Sequence, residues 1–163
     1  MRGDNKLYKI LDELNIQFEY YEHPPVPTIE KAKKYWKDIS AGHCKNIFFR
    51  NHKGNKHYLV SFDYTEKLVI SDLETRLKQG KLSFASDKRL EKYLGLKAGS
   101  VSPFGLINDL ENHIHVFLDI NLQKYSKISF HPNINTASLV IDFNDFIKFL
   151  DYTGNKYEFL NLY

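Results

Sequence analysis

Residues 45–63, KNIFFRNHKGNKHYLVSFD, contain the two apolar stretches that decide the fold. The runs Lys45 to Asn51 and His57 to Asp63 are rich in aromatic and β-branched residues, and a polar segment with Gly54 joins them. This pattern predicts two strands in a β-hairpin. Both faces of the first run are largely apolar, so we expect this strand near the centre of a sheet.

Helices are predicted on both sides of the hairpin, where apolar residues recur three and four positions apart. The segments are Asp4 to Asn15, a short helix after Thr28 that includes Ile29, Ala32 and Trp36, Ser71 to Gly80 behind a capping box, Ser86 or Asp87 to Leu94 closed by Gly95, and Phe143 to Leu150. The proline-rich stretch His23 to Pro27 is predicted to be a stiff loop, because proline lacks an N–H donor and restricts its predecessor.

Further strands complete the predicted sheet. They are Ile16 to Tyr21, Leu82 to Ala85, Ile114 to Ile120, Ile128 to His131 and Thr136 to Ile141. Several neighbouring strands are joined by connections too short for a parallel crossover. We therefore expect an α+β fold of one domain over residues 1–163, with a mixed, mainly antiparallel sheet flanked by helices.

The composition excludes several classes of protein. With 42% hydrophobic and 15% aromatic residues among 163, the chain is neither disordered, collagen-like nor a coiled coil. Its apolar runs are too short for a membrane helix. The first residues lack the apolar segment of a signal peptide, and Cys44 is the single cysteine, so we expect a cytoplasmic protein without disulfides or a multi-cysteine zinc site.

Charge is unevenly distributed along the chain. Residues 1–100 contain 19 Lys and Arg against 13 Asp and Glu, whereas residues 101–163 contain 4 against 7. A basic first part favours an anionic partner such as RNA, although solvated lysines on helix faces give the same count. The candidates for contact with phosphates are Lys31, Lys33, Lys34 and Lys37.

Lys45 begins the central strand, where the interior of the fold opens. A partly desolvated ammonium group there is suited to bind an anionic or carbonyl oxygen. The alternative is a lysine whose head group extends to solvent from the strand end.

Two loops have the composition of ligand-binding segments. The sequence GSVSPFG at residues 99–105 has glycine at both ends, which suits backbone N–H groups that approach an oxyanion or a ribose hydroxyl, or an ordinary turn. The second loop, residues 131–136, begins with His131, which is suited to orient a substrate or to relay a proton. Asparagine-rich turns of this kind also occur without function.

Two other patterns are weaker. His113 and His115 share one face of a strand, but no third metal ligand lies near them in sequence, and no metal or cofactor is expected. Cys44 beside Lys45 suggests an activated thiol, yet adjacent strand residues point to opposite faces.

Four segments in the same order together resemble one known family. They are Glu22 to Thr28, Cys44 to Arg50, Leu94 to Leu106, and Phe130 to Ser138. This set is similar to the YbaK/ProX aminoacyl-tRNA deacylase family, and within it to the free-standing prolyl-tRNA editing proteins. The resemblance implies a YbaK-like fold and hydrolysis, in trans, of the ester that joins a wrong amino acid, alanine first, to tRNA(Pro).

The resemblance also implies roles for individual residues. Lys45 matches the functional lysine of the family and His131 its pocket histidine, and both are expected to be catalytic. The expected substrate-binding residues are His23, Thr28, Asn46, Gly99, Ser100, Val101, Ser102, Pro103 and Phe104. The implied partners are the acceptor end of tRNA(Pro) and prolyl-tRNA synthetase, and we expect a monomer.

An aminoacyl ester is already activated, so the predicted enzyme needs no covalent nucleophile. It must position a water and stabilise the oxyanion, which suits Lys45 and the N–H groups of the loop, and the resemblance implies help from the ribose 2′-hydroxyl. Specificity is expected from a narrow pocket that admits alanine and excludes proline. Residues Val101 to Phe104 and Tyr20 to Thr28 are candidates for its wall.

Two alternatives stay open at this stage. The same pocket is also suited to remove cysteine from tRNA(Pro). A non-catalytic module that binds aminoacyl-tRNA or a synthetase would instead bind tRNA without hydrolysing the ester.

Overall fold

The computed structural model of the chain describes residues 1–25 and 29–163. The helices are α1 (Asn5–Glu13), α2 (Ile29–Trp36), α3 (Ile70–Leu77), α4 (Asp87–Leu94) and α5 (Phe143–Thr153). The strands are β1 (Glu19–Glu22), β2 (Gly42–Asn51), β3 (His57–Asp63), β4 (Leu82–Phe84), β5 (His115–Asp119), β6 (Lys127–Phe130), β7 (Ala137–Asp142) and β8 (Tyr157–Leu160). In the described part of the chain, every helix is too short or too polar to cross a membrane.

The strands form one mixed sheet in the order β1-β7-β6-β2-β3-β5-β8, with β4 also paired to β2. The pairs β1–β7, β6–β7, β2–β3 and β2–β4 are antiparallel, and β2–β6, β3–β5 and β5–β8 are parallel. The predicted fold, a mixed and mainly antiparallel sheet flanked by helices, is confirmed.

The predicted hairpin lies at the centre of this sheet. Strand β3 is buried along its whole length, and Gly54 has the positive φ of 73° that its turn requires. Strand β2 contributes to the core on both sides: Phe48 packs in a cluster with α1, α4 and α5, and Phe49 packs in a second cluster with α3. The central position predicted from the two apolar faces is therefore observed.

Two helix starts were predicted with their caps. The Asp4 side chain accepts a hydrogen bond from the Lys6 N–H, and the Ser86 hydroxyl accepts one from the Arg89 N–H. Gly95 closes α4 in the left-handed conformation, as expected.

The capping box of α3 was predicted wrongly. The helix begins one residue before Ser71, and Val69 at its N-cap makes no side-chain hydrogen bond. The Glu74 carboxylate instead accepts from the Leu82 N–H at 2.7 Å, so it ties α3 to β4. The helix ends at Leu77 with Lys78 in the left-handed conformation, before the predicted Gly80.

Candidate active site

The candidate site is a small cavity at the point where β2 and β6 separate. These strands pair only through Gly42 with Ile128 and His43 with Ser129. Beyond these pairs a cavity of about 20 Å³ opens, which is room for about one water molecule. Its lining residues are Trp36, His43, Cys44, Asn46, Ser129, Phe130, His131 and Ser138.

One ring nitrogen of His131 is available as a proton acceptor at this cavity. Its Nδ1–H donates to the Ala137 carbonyl at 2.8 Å, which fixes the tautomer and leaves Nε2 as an acceptor. Among residues 1–25 and 29–163, no group hydrogen-bonds to Nε2. Burial lowers the pKa of His131 below the ordinary 6.5, and His23 adds to this effect. The ring is therefore neutral at neutral pH and able to accept a proton.

His23 and Ser138 form a hydrogen-bonded pair behind the cavity. The Ser138 hydroxyl donates to His23 Nε2 at 2.9 Å, and His23 Nδ1–H donates to the Pro24 carbonyl at 2.9 Å. The His23 ring centroid lies 5.7 Å from that of His131. The loop that follows β1 therefore fixes the orientation of a hydroxyl on the cavity wall.

Asn46 lines the cavity with its amide held in one orientation. The Ser61 hydroxyl, which is fully buried on β3, donates to Asn46 Oδ1 at 2.6 Å. Because Oδ1 is occupied, the Nδ2 group is the donor end of this side chain. It is suited to bind a carbonyl oxygen or an oxyanion.

Lys45 lies outside this lining. It alternates with Cys44 and Asn46 along β2, so its side chain leaves the strand on the opposite side. Its half-buried ammonium donates to the Glu66 carbonyl at 3.1 Å and lies 5.9 Å from the centre of the Phe62 ring. The amine is thus held in place by protein groups, and its predicted catalytic role stays a prediction.

The loop at residues 99–105 packs against the turn that follows His131. Gly99, with a φ of 87°, lies beside Asn135, and the Asn133 amide donates to the Phe104 carbonyl at 3.4 Å. The two segments singled out from the sequence therefore come together. The pocket wall was predicted from Tyr20 to Thr28 and from Val101 to Phe104. Of these, none of the described residues lines the cavity.

Within that loop, several N–H groups already have partners. The Ser102 hydroxyl accepts from the Phe104 N–H at 3.2 Å, and the Ser102 carbonyl accepts from the Gly105 N–H, so Ser102 caps the 3-10 helix Pro103–Asn108. The Ser100 N–H donates to the Lys97 carbonyl. The backbone donors predicted for an oxyanion are therefore reduced to those of Gly99, Val101 and Ser102.

Phe104 is fully buried between the rings of Phe130 and Phe149. It supports Phe130, which lines the cavity, from the core side. Thr28, predicted to bind substrate and to cap α2, lies outside the described residues.

Cys44 lies on the cavity wall as a free thiol. Burial raises its pKa well above the ordinary value, and the carboxylates of Asp63 and Asp119 add to this effect. A thiol that stays protonated is a poor nucleophile, so Cys44 contributes shape rather than reactivity.

Sequence reasoning assigned no role to Trp36, His43, Ser129 and Ser138, although all four line the cavity. The position of Ser129 could have been predicted from the sequence. It lies two residues before His131, and residues two apart on a strand share one face. The other three are brought to the cavity by the tertiary structure: Trp36 by the position of α2, His43 by the parallel pairing of β2 with β6, and Ser138 by the pairing of β7 with β6.

Comparisons with known proteins identify the family of this chain. The family model for the aminoacyl-tRNA editing domain matches residues 23–149. The chain is 41% identical over 152 residues to the prolyl-tRNA editing protein ProX of Acetoanaerobium sticklandii, covering 93% of both chains. It is 30% identical over 161 residues to the prolyl-tRNA synthetase associated domain-containing protein 1 of Xenopus laevis, covering 95% of both chains.

The fold is also that of solved structures at lower identity. A protein described as a candidate trans-editing enzyme for prolyl tRNA synthetase superposes with a TM-score of 0.68 at 18% identity, over 98% of both chains. The hypothetical protein APE2540 superposes with a TM-score of 0.72 at 16% identity, over 96% of this chain and 99% of that one. These two likenesses bear on the fold alone.

Fold and family together define a class of enzyme that hydrolyses the ester of a mischarged aminoacyl-tRNA. The chain belongs to the aminoacyl-tRNA editing domain family. Its activity is therefore that of an aminoacyl-tRNA deacylase, which decides against the non-catalytic module considered from the sequence.

Proposed function

We propose that this deacylase acts in trans on tRNA(Pro) and that the amino acid it removes is alanine. The choice of alanine rests on the size of the cavity beside His131. This cavity has room for about one water or a group the size of a methyl. The methyl group of alanine fits this space, whereas the ring of proline does not. A hydrophobic synthetase site rejects an amino acid smaller than its own only weakly, since one methylene is worth only about 1–3 kcal/mol. Exclusion of proline by size in a second site supplies the missing selectivity.

The proposed reaction uses a water molecule as the nucleophile. Because the methyl group fills the cavity, the water is placed at its mouth, where its oxygen attacks the ester carbonyl carbon while His131 Nε2 accepts its proton. The carbonyl oxygen becomes an oxyanion, which the Asn46 Nδ2 group stabilises as a hydrogen-bond donor. The bond from the carbonyl carbon to the ribose oxygen then breaks, and the proton returns to that oxygen, which releases alanine and intact tRNA.

Lys45 is assigned to the part of the substrate outside the cavity. An ammonium has three N–H donors, and the Glu66 carbonyl takes one of them. The others suit either the ester oxygen or the phosphate of the terminal nucleotide. These two roles differ in their kinetics, because the first acts on the transition state and the second on binding.

The proposal is tested with tRNA(Pro) charged in parallel with alanine, cysteine and proline. We expect rapid deacylation of Ala-tRNA(Pro), slower deacylation of Cys-tRNA(Pro), and a rate for Pro-tRNA(Pro) at least about 100-fold below the first. Faster removal of cysteine than of alanine would overturn the assignment of the amino acid. Equal rates for alanine and proline would overturn exclusion by size.

A further inference from the structure

A cluster of three aromatic rings lies at the edge of the candidate site. The Trp36 ring at the end of α2 stacks on His43 of β2, with 4.5 Å between ring centroids and an interplanar angle of 7°. Tyr64 stands edge-on to both rings, at 5.1 Å from Trp36 and 6.1 Å from His43. We call Trp36, His43 and Tyr64 the aromatic cluster.

Two hydrogen bonds help to fix the position of the aromatic cluster. His43 Nε2–H donates to the Ile39 carbonyl at 3.3 Å, and the Tyr64 N–H donates to the His43 carbonyl at 3.0 Å. The first bond fixes the His43 ring, on which Trp36 stacks, and the second fixes the backbone that carries Tyr64. The arrangement of the cluster is therefore largely set before a ligand binds.

Core packing does not account for these rings. Trp36 and Tyr64 are partly exposed, and neither belongs to the two hydrophobic clusters that the described residues form. His43 covers one face of Trp36, and no other ring among the described residues covers the opposite face. Partly exposed aromatic rings beside a catalytic cavity are typical of sites that stack nucleic-acid bases.

Positively charged residues, which a nucleic-acid ligand requires, occur near Trp36 in the sequence. Trp36 and His43 line the same cavity as His131. Lys34 on α2 and Lys37 directly after it are close to Trp36 in sequence and exposed to solvent. Aromatic rings with adjacent ammonium groups suit a single strand, whose bases stack while its phosphates meet the lysines.

The geometry points to the aromatic cluster as the subsite for an unpaired nucleobase at the 3′ end of the substrate, stacked on the Trp36 ring. This inference rests on the proposed function, because it takes the single-stranded acceptor end as the ligand. A base fixed on Trp36 would hold the adjoining ribose and its ester at the mouth of the cavity. Trp36 is thereby a binding residue, and catalysis stays with the groups inside.

The chain offers a specific probe, since Trp36 is its one tryptophan. We expect its fluorescence to be quenched saturably when wild-type protein is titrated with the trinucleotide CCA, which ends every tRNA. Ribose 5-phosphate, which has no base, is expected to cause no change. An unchanged emission with CCA, or an equal change with ribose 5-phosphate, would overturn the inference.

Kinetics supply a second readout. Trp36→Leu is expected to raise KM for aminoacyl-tRNA about tenfold with a much smaller change in kcat, and Trp36→Phe, which keeps a stacking face, is expected to stay near wild type. Tyr152→Leu, which removes an exposed ring elsewhere, is the matched control. Equal KM values for Trp36→Leu and Tyr152→Leu would contradict the subsite.

The two proposals can fail separately. The titration needs no hydrolysis, so quenching by CCA without deacylation of any charged tRNA(Pro) would overturn the proposed function alone. Normal deacylation of Ala-tRNA(Pro) without quenching would overturn the subsite alone.

Discussion

Two histidines near opposite ends of β2 are used in opposite ways. His131, at the cavity, uses one ring nitrogen for the Ala137 carbonyl and has no described partner for the other. His57 uses both: Nε2 accepts from Arg89 at 3.0 Å, and Nδ1–H donates to His113 Nε2 at 2.8 Å. Arginine can only donate, which fixes these directions.

Packing adds to the contrast. His57 is fully buried, with its ring centroid 5.4 Å from Phe48 and 4.0 Å from Tyr93. Burial lowers the pKa of both histidines, to about 4 for His57. A lowered pKa therefore does not by itself identify a functional histidine. What distinguishes His131 is that Nε2 has no partner among the described residues and that the ring lines the candidate cavity.

This difference predicts a large loss of activity when His131 is replaced. His131→Asn is expected to reduce kcat for deacylation of Ala-tRNA(Pro) by about 100-fold or more, the usual contribution of a general base. The melting temperature is expected to change little, because the residue is only partly buried. Single-turnover kinetics and a thermal melt measure the two effects, and a kcat close to wild type would exclude His131 as the base.

Lys45→Ala tests the residue on the other side of β2. We expect deacylation to be abolished, as the family resemblance implies, with the fold retained. A loss confined to kcat in a milder variant, Lys45→Arg, would place the ammonium at the ester oxygen, and a loss confined to KM would place it at a phosphate. Turnover near wild type in Lys45→Ala would remove Lys45 from the mechanism.

His57→Phe reverses the pattern expected for His131. The phenyl ring keeps the stacking with Tyr93, but His113 Nε2 and one N–H of Arg89 lose their partner. We expect the free energy of unfolding to fall by about 1–3 kcal/mol, with kcat of the folded protein unchanged. Urea denaturation provides the measurement. Unchanged stability with reduced kcat would mean that the roles of the two histidines had been exchanged.

His57 should also make the stability of the fold depend on pH. The pKa of His57 is lowered to about 4 by burial first and then by His113, Arg89, Lys92 and Arg50. Between pH 6.5 and 4 the unfolded chain therefore binds a proton that the folded chain does not, so stability falls as the pH falls, by up to about 3 kcal/mol from this group. In His57→Phe this part of the slope should be absent. Equal slopes in wild type and variant, measured by denaturation at several pH values, would contradict the assignment.

The sequence predicted the parts of the fold whose signals are local. The caps Asp4 and Ser86 and the turn at Gly54 were located correctly, because each is decided by a few neighbouring residues. Strand β8 was missed and β1 was placed about three residues too early. Strand β8 pairs in parallel with β5, and such distant pairing leaves little trace in a local pattern.

The candidate site could likewise be predicted only in part from the sequence. The turn after His131 and the loop at Gly99 were expected to be functional, and they lie together. The side of β2 that faces the cavity could not be chosen, because both faces of the strand are apolar and alternation alone does not say which faces the catalytic groups. Trp36 and Ser138 reach the cavity from α2 and β7, which only the tertiary structure brings together.

Whether His131 is the general base is decided by the pH dependence of kcat/KM for Ala-tRNA(Pro), measured for wild type and for His131→Asn. If Nε2 of His131 accepts the proton of the water, wild-type activity will fall on the acidic side, at a pH below that of an ordinary histidine because burial lowers the pKa of His131. The residual activity of the variant will then lack this acidic limb. An acidic limb that persists unchanged in His131→Asn would show that the proton transfer does not run through His131.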